Sequence, residues 1–457
     1  MRFNRIQRRR RWSLLAPLVI AGVVGACSSS ASLAPSAASS TTSSAASSAP
    51  VTLVVQDGEA GSTERIGTYK LLDQQFEQQH PGVTIQHTSE PFANLTATLN
   101  LQLSSSAAPD VTQVNQGYQS MGILVKGGLL QPLDSYATKY GWGARQPPTL
   151  LDAGKFSSDG KQFGTGNLYG ISATGDLVGL YYNKATLQKL GLELPTTLAQ
   201  FTNDLAVAKQ AGVTPIAFGD LDKSPGIHDF QAIVNALAPV KYQNDFVYGR
   251  GGVSFATPEV IQAAAMLQDW ANKGYFTPGF LGLGYSDWVN GFQGGKGLFI
   301  ITGSWYNTQL LDAMGSNVGF FLLPRATAGE APVATGAGGL PWAIPTRAKN
   351  PTLAAAYIDF ITSSQAAALF VQRGDNPMTS PPAGTAPQGS STADILAAWA
   401  QLEQNDNFVP FMDWATPTLY NTLSAGIEEL LGNQTTPSTF VQQGQADYGK
   451  FVTSSSH

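Results

Sequence analysis

The order of apolar and polar residues after position 50 predicts strands that alternate with helices. Residues 51–55 form an apolar run typical of a buried strand, and residues 83–87 form the next. Between them, four apolar residues recur at helical spacing before the stop signal His80-Pro81-Gly82, namely Ile66, Tyr69, Leu72 and Phe76. A strand, a helix and a strand in this order predict a β-α-β unit.

Further helices with clear start and stop signals follow this unit. Thr257-Pro258 supplies an N-cap and a first-turn proline, and Lys273-Gly274 ends the same helix. Asn350-Pro351 starts another helix in the same way, and a helical pattern over residues 198–208 stops at Gly212. Strands that alternate with helices of this length predict an α/β fold.

The first 26 residues have the layout of a signal peptide. Six arginines precede a 15-residue apolar run, residues 12–26, which is shorter than the roughly 20 residues of an ordinary membrane-spanning helix. Val24-Gly25-Ala26-Cys27 resembles a bacterial lipobox, which implies that Cys27, the sole cysteine, is lipidated. The twin-arginine and the general secretory export routes both fit this start.

Residues 27–50 are predicted to be a linker between that lipid anchor and a globular body. From residue 28 the linker is almost entirely Ser, Ala, Thr and Pro, which bury too little apolar surface to fold. Loss of the signal peptide would change the formal net charge from −5 to about −11, and no Lys/Arg cluster remains to favour nucleic acid. The remaining chain is long enough for two cores, which no disulfide can support.

Motifs of common enzyme classes are incomplete in this chain. The glycine-rich residues 291–297 lack the spacing of a phosphate-binding loop, and Gly164-Thr165-Gly166 has Tyr169 where a dinucleotide fingerprint has its third glycine. None of the four histidines has a metal-ligating partner at i+4, so we expect no metal and no cofactor. Glycoside hydrolases need two facing carboxylates at a set distance. A sequence gives no distances, so this enzyme class stays an alternative.

Aromatic residues are abundant among small polar residues, with eight Trp, fifteen Tyr and 48 Gly. Flat aromatic walls suit sugars, because a pyranose ring presents an apolar C–H face while its hydroxyl groups need polar partners. Most of these aromatic side chains are expected in the core, and the remainder predict a sugar-binding cleft.

Several motifs in order along residues 51–450 resemble those of the extracellular solute-binding proteins of carbohydrate ABC transporters, the maltose-binding type. They include Pro81-Gly82-Val83-Thr84-Ile85, Pro109-Asp110-Val111, Leu180-Tyr181-Tyr182-Asn183-Lys184, Gly303-Ser304-Trp305 and Ala343-Ile344-Pro345. The resemblance implies a two-lobed, periplasmic-binding-protein-like α/β fold with a hinge of crossing segments near residues 176–182, 336–340 and 381–391. It assigns residues 51–177 and 340–386 to lobe 1, and residues 178–339 and 387–457 to lobe 2.

The resemblance also implies which residues face the ligand. Glu59 follows the first strand, Asp176 precedes a crossing segment, and Trp305 is the expected stacking platform for a sugar ring. Glycines without a Cβ suit a hinge that bends close to a ligand. The full set of expected cleft residues is Glu59, Asn115, Gln116, Tyr118, Asp176, Trp305, Gly338, Gly339, Trp342, Asp413 and Trp414.

The function that the resemblance implies is capture of a mono- or oligosaccharide and its delivery to an ABC permease. The protein would be a lipid-anchored monomer at the extracellular face of the cell membrane, without enzymatic activity. The alternatives are a secreted glycoside hydrolase or esterase and a tethered sugar sensor. Acids and arginines are sparse near the expected cleft, where Asn and Gln are common, which leaves the ligand open, including a non-sugar ligand.

Overall fold

A computed structural model describes residues 50–382 and 384–455 of the chain. The predicted signal peptide, the lipidation site Cys27 and the linker before residue 50 lie outside the described residues. Within the described part, no single helix is long and apolar enough to cross a membrane. Helices Pro351–Ile361 and Ser364–Gln372 are together long and apolar enough to do so, but they form a pair bent by 53°.

The described residues form strands and helices that alternate as the sequence predicts. The strands are β1 Val51–Asp57, β2 Val83–Ser89, β3 Val111–Gln113, β4 Lys155–Phe156, β5 Asn167–Leu168, β6 Gly175–Asn183, β7 Phe299–Gly303, β8 Val318–Phe321, β9 Ala334–Gly338, β10 Trp342–Ala343 and β11 Phe408–Val409.

The helices up to residue 247 are α1 Thr63–Gln79, α2 Phe92–Ser104, α3 Ile123–Lys126, α4 Asp134–Tyr140, α5 Pro148–Leu151, α6 Lys184–Lys189, α7 Leu198–Gln210, α8 Ser224–Leu237 and α9 Val240–Val247. The later helices are α10 Pro258–Asn272, α11 Tyr285–Gln293, α12 Asn307–Met314, α13 Pro351–Ile361, α14 Ser364–Gln372, α15 Ser391–Asn405, α16 Leu419–Leu431 and α17 Pro437–Ser455.

The first sheet has the strand order β10-β3-β1-β2. β1 runs parallel to β2 and to β3, so β1, α1 and β2 form the predicted β-α-β unit. β10 returns from late in the chain and pairs antiparallel with β3. The apolar face of α1 packs into a core under this sheet, where Tyr69, Leu72 and Phe76 are almost fully buried together with Tyr357 of α13.

The second sheet has the order β11-β9-β6-β7, and β8 also pairs with β6. β6 is its long central strand and is buried along almost its whole length. Its first residues pair antiparallel with β9, and its last residues pair with β8 on the same side. A second core of apolar side chains forms around this sheet, and it includes Tyr181, Ile300 and Phe320.

The predicted N-cap side chain is present at α10 and absent at α13. Thr257 accepts a hydrogen bond from the Val260 amide, and Lys273 closes α10. Asn350 makes no side-chain cap at the start of α13. Asp110, directly before β3, instead fixes the segment that leads into α13, because its Oδ1 accepts from the amides of Lys349 and Asn350 at 2.7 and 2.8 Å.

The chain passes between the two sheets in paired segments. β6 and β9 pair with Gly175 opposite Gly338 and Asp176 opposite Ala337. Asp176, Ala337 and Gly338 fall in the first two predicted crossing regions, and Gly175 directly precedes the first. A third segment runs beside residues 173–175, where the Gly175 amide donates to the Asn376 carbonyl oxygen at 2.7 Å. This pairing lies several residues before the predicted segment 381–391. The lobe boundaries given above stay a prediction.

A buried imidazole joins the end of β1 to α1. His87 Nε2 lies 3.0 Å from Asp57 Oδ2, and its Nδ1 lies 2.7 Å from Asp73 Oδ2. Asp73 also accepts a hydrogen bond from the Tyr357 hydroxyl at 2.6 Å. Burial alone would lower the pKa of His87, but the two carboxylates outweigh burial and raise the pKa to about 9.

His87→Gln is expected to lower the free energy of unfolding in a pH-dependent way. A raised histidine pKa stabilises the native state fully below pH 6.5, and this contribution disappears as the pH rises to about 9. The loss should therefore be about 3 kcal/mol at pH 6 and much smaller at pH 9.5, measured by chemical unfolding. His80→Gln is the control, because that imidazole stacks on Phe76. An equal loss at both pH values would contradict the ion-pair assignment.

Candidate functional site

The first group of site residues surrounds the guanidinium of Arg65 in the first turn of α1. Its Nε and Nη2 each donate to one oxygen of Asp375 at 2.7 Å, and Nη2 also lies 3.2 Å from Asp176 Oδ1. Nη1 lies 3.3 Å from Glu59 Oε2. All four residues are at most 9% exposed. Three carboxylates therefore share one buried cation, which we call the Arg65 cluster.

The ends of β1 and β3 hold Glu59 in the Arg65 cluster. Parallel strands end at the same sheet edge, so the residue after β1 lies beside the last residue of β3. Gln113 Nε2 donates to Glu59 Oε1 at 3.1 Å, and Gln113 Oε1 accepts from the Gly58 amide at 2.9 Å. The Glu59 amide donates to Asp57 Oδ1, which links the site to the buried His87.

Burial dominates the electrostatics of the Arg65 cluster. It raises the pKa of Glu59 to about 7 although Arg65 lowers it, and the charges of Asp57 and Asp176 add to the rise. Burial also raises the pKa of Asp176, again against the effect of Arg65. One guanidinium therefore does not compensate three ionised carboxylates, and Glu59 titrates near neutral pH.

The hinge glycines pack against the Arg65 cluster. Gln116 Nε2 donates to the carbonyl oxygens of Gly338 and Gly339 at 2.7 and 3.2 Å. A Cβ on Gly339 would approach Asp176 Oδ2 to 2.8 Å, and a Cβ on Gly338 would overlap the Ser172 hydroxyl. Both glycines have ordinary φ angles. Glycine is required at these two positions because neighbouring side chains approach too closely for a Cβ.

The second group is a row of aromatic rings. The half-buried Trp305 follows β7 and lies 5.5 Å from the His228 ring. His228 lies 5.7 Å from Phe411, which lies 4.9 Å from Trp414. Burial lowers the pKa of His228 to about 4, so this imidazole is neutral at physiological pH. We call this row, with Asp413, the Trp305 row.

Residues 115–119 connect the two groups. Gln116 reaches the hinge glycines, the backbone of Gly117 packs on Trp414, and Gln119 Nε2 donates to Asp413 Oδ2 at 3.0 Å. Gly117 has φ +77° and leaves no space for a Cβ beside Trp414, so only glycine fits. Burial raises the pKa of Asp413 to about 6. The half-buried Asn115 begins the same segment.

Two of the expected cleft residues have mainly structural contacts. The Tyr118 hydroxyl donates to the Lys161 carbonyl oxygen and accepts from the Phe163 amide, and its ring lies 4.6 Å from Phe451. Trp342 is fully buried and packs edge-on against Tyr69 at 5.2 Å. Trp342 therefore lies in the core under the first sheet, because the pleat of β10 turns its side chain inward.

The sequence reasoning did not single out Arg65 and Asp375, which the structure brings together with Glu59 and Asp176. Arg65 had a readable signal, because it precedes Tyr69 by four residues and Leu72 by seven and so shares the apolar face of α1. A charge on such a face needs a buried partner. Asp375 had no comparable signal. Within residues 50–382 and 384–455, no group of three or more His, Asp or Glu side chains could hold a metal ion.

Comparison with protein families identifies relatives of the chain. Residues 60–368 match the family described as bacterial extracellular solute-binding protein. The multiple sugar-binding protein of Streptococcus mutans is 22% identical over 330 residues, which are 69% of this chain and 72% of that protein. An uncharacterized ABC transporter extracellular-binding protein of Pyrococcus horikoshii is 23% identical over 314 residues, 66% of either chain. The chain thus spans about two thirds of the length of these relatives.

Solved structures show the same fold. A chitin oligosaccharide binding protein superposes with a TM-score of 0.75 at 23% identity, covering 88% of this chain and 99% of that one. The solute-binding protein RafE in complex with raffinose has a TM-score of 0.70 at 20% identity, covering 88% of this chain and 100% of that one. The two-lobed α/β fold and the family resemblance expected from the sequence motifs are therefore confirmed.

Arg65→Met is expected to destabilise the protein by about 3 to 5 kcal/mol, because it leaves three buried carboxylates without their cation. Chemical unfolding at pH 7 measures the change. Arg145→Met is the matched control, since its ion pair with Asp359 at 2.8 Å is about one quarter exposed on both sides and should contribute less than about 1 kcal/mol. Similar losses for the two variants would contradict a special role for the Arg65 cluster.

Proposed function

We propose that this chain, which belongs to the family of bacterial extracellular solute-binding proteins, captures a saccharide between its two lobes and delivers it to an ABC permease. The names of its relatives support this proposal, since they include a multiple sugar-binding protein and proteins that bind chitin oligosaccharides and raffinose. The proposal covers both monosaccharides and oligosaccharides.

The single observation that carries the proposal is the position of Trp305. Trp305 is half-buried and lies two residues after the end of β7. It lies near the crossing strand β6, because the hydroxyl of the preceding Ser304 accepts from the Leu177 amide at 3.2 Å. A flat indole at the crossing offers a stacking surface for the C–H face of a sugar. Polar groups for the hydroxyl groups of the sugar stand on either side, in the Arg65 cluster and at Asp413.

Ligand capture is proposed to work through closure of the lobes. Residues 51–177 with 340–386 and residues 178–339 with 387–457 would move against each other about the paired segments of β6 and β9. A ligand favours the closed form only as far as it binds that form more tightly. Residues 115–119 contact Trp414 and Asp413 of the other proposed lobe, so a ligand bound beside them would meet groups from both lobes.

We propose binding without catalytic turnover. Glycoside hydrolysis needs one carboxylic acid and one carboxylate that are free to act on the scissile bond. In the Arg65 cluster, both Asp375 oxygens accept from Arg65, and Glu59 is held by Arg65 and Gln113. These engagements favour a fixed binding surface over an acid–base pair.

The protein is further proposed to act as a lipid-anchored monomer at the extracellular face of the cell membrane. The resemblance of Val24-Gly25-Ala26-Cys27 to a lipobox supports the anchor, and the Ser/Ala-rich residues 28–50 support a flexible tether. A single thioether-linked and acylated cysteine would keep the receptor beside its permease.

A thermal-shift screen over mono-, di- and oligosaccharides tests the function. We expect a concentration-dependent rise in Tm with at least one saccharide, because a ligand that binds only the native state stabilises it. The saccharide should be recovered intact. Release of reducing ends would instead support the glycoside hydrolase, and no shift with any saccharide would contradict sugar capture.

Trp305→Ala is expected to weaken the affinity for the best saccharide by about 1 to 3 kcal/mol, measured by calorimetry, because the stacking surface is lost. Trp342→Phe is the control. Since Trp342 is buried in the core, this variant should lower Tm and leave the affinity within about two-fold. Unchanged affinity in Trp305→Ala would contradict the stacking role.

Cys27→Ala is expected to move the protein from the membrane fraction to the medium in a lipoprotein-producing bacterial host, because the acylated thiol is removed. Fractionation followed by labelling with a fatty-acid analogue measures the change. Ser28→Ala is the matched control and should stay labelled and membrane-bound. Membrane retention of Cys27→Ala would contradict the anchor.

A further inference from the structure

The imidazole of His228, in α8, contacts aromatic rings but makes no hydrogen bond with the described residues. Its ring lies between Trp305, at 5.5 Å, and Phe411, at 5.7 Å, with interplanar angles of 63° and 62°. Neither ring nitrogen has a hydrogen-bond partner in the described part of the chain. The other two histidines that the structure describes, His80 and His87, both have partners, as expected for structural imidazoles.

The ring of His228 forms part of the accessible surface of the Trp305 row. Trp305, His228 and Phe411 are partly exposed, whereas Trp414 and Asp413 are buried. Within the imidazole, Nδ1 is fully buried and Nε2 is not, so Nε2 is the nitrogen that a solute on this surface can reach. The accessible part of the row is therefore one polar atom between two apolar rings.

The charge state of His228 makes this nitrogen a donor. Burial lowers the pKa of His228 to about 4, so the imidazole is neutral at pH 7 and carries one proton. A proton on Nδ1 would be a buried donor without an acceptor, and in protein interiors an N–H without an acceptor is rarer than an acceptor without a donor. These facts favour the tautomer with the proton on Nε2.

We propose that His228 is a specificity-determining residue of the solute site, which donates a hydrogen bond from Nε2–H to an oxygen of a sugar that stacks on Trp305. This inference rests on the proposed function. A pyranose packs its C–H face on an aromatic ring and presents oxygens at its edge, which matches a donor that stands beside a stacking surface. A neutral donor loses little hydration on binding compared with a charged one, so it suits the hydroxyl or ring oxygen of an uncharged sugar.

Two substitutions of His228 separate hydrogen bonding from packing. His228→Phe keeps an aromatic ring between Trp305 and Phe411 and removes the donor. His228→Gln removes the ring and keeps an N–H group at the end of a side chain of similar length. A donor role predicts that the phenylalanine variant loses more affinity, whereas a packing role predicts the reverse.

Calorimetry on the purified protein and its variants measures this difference, with galactose, maltose, raffinose and diacetylchitobiose as probes. For the saccharide that binds most tightly, we expect His228→Phe to lower the affinity by about 5- to 20-fold and His228→Gln to lower it clearly less. His80→Gln is the control and should leave the affinity unchanged, because His80 stacks on Phe76 and bonds its carbonyl oxygen. Melting curves show whether each variant folds.

A second measurement needs no variant. The chain has four histidines, so an NMR spectrum of its ¹⁵N-labelled imidazole rings contains four sets of signals. His228 is recognised by its titration near pH 4, and His87 by its titration near pH 9. We expect the free protein at pH 7 to show the Nε2–H tautomer of His228. The bound saccharide should shift the Nε2 resonance of His228 and leave that of His87 in place.

The outcomes separate this inference from the proposed function. Unchanged sugar affinity in His228→Phe, a greater loss in His228→Gln, or an Nε2 resonance that does not respond to a bound saccharide would overturn the donor role and leave sugar capture intact. Failure of the unmodified protein to bind any saccharide would overturn both proposals. If both variants misfold, the NMR measurement on the unmodified protein decides.

Discussion

The structure depends on one buried guanidinium that three acidic side chains share. Arg65 lies in the first turn of α1, and its partners lie in the loop after β1, at the start of β6 and after α14. Asp176 and Asp375 are 111 and 310 residues away in sequence. The cluster thus joins the first sheet to two of the segments that cross towards the second sheet. Removal of one member of the cluster would leave a buried charge without its partner beside these crossing segments.

The glycines of the crossing segments follow from this cluster. Asp176 pairs with Ala337 in the register of β6 and β9, which brings Gly338 and Gly339 against its side chain and against Gln116. Side chains from three directions therefore leave no room for a Cβ at Gly338 or Gly339. The polar groups at this crossing are held by hydrogen bonds within the protein.

Local features of the fold could be predicted from the sequence, whereas the contacts of the site could only partly be predicted. Thr257 and Lys273 bound α10 because capping is decided within a few residues. Asp176 and Trp305 were predicted from motifs, which fix a residue's position along the chain, and their role in binding stays a prediction. Asp375 was missed because nothing nearby in sequence signals a partner 310 residues away. The burial of Trp342 was not readable from the sequence for a similar reason, because the side to which a tryptophan points depends on the pleat of a two-residue strand.

The acids near Arg65 already have donors within the protein, so their positions do not depend on a ligand. Under the proposed function, a saccharide drives closure only through contacts that it makes in the closed form and lacks in the open form. Contacts that are equal in both forms raise the affinity for the solute without favouring closure.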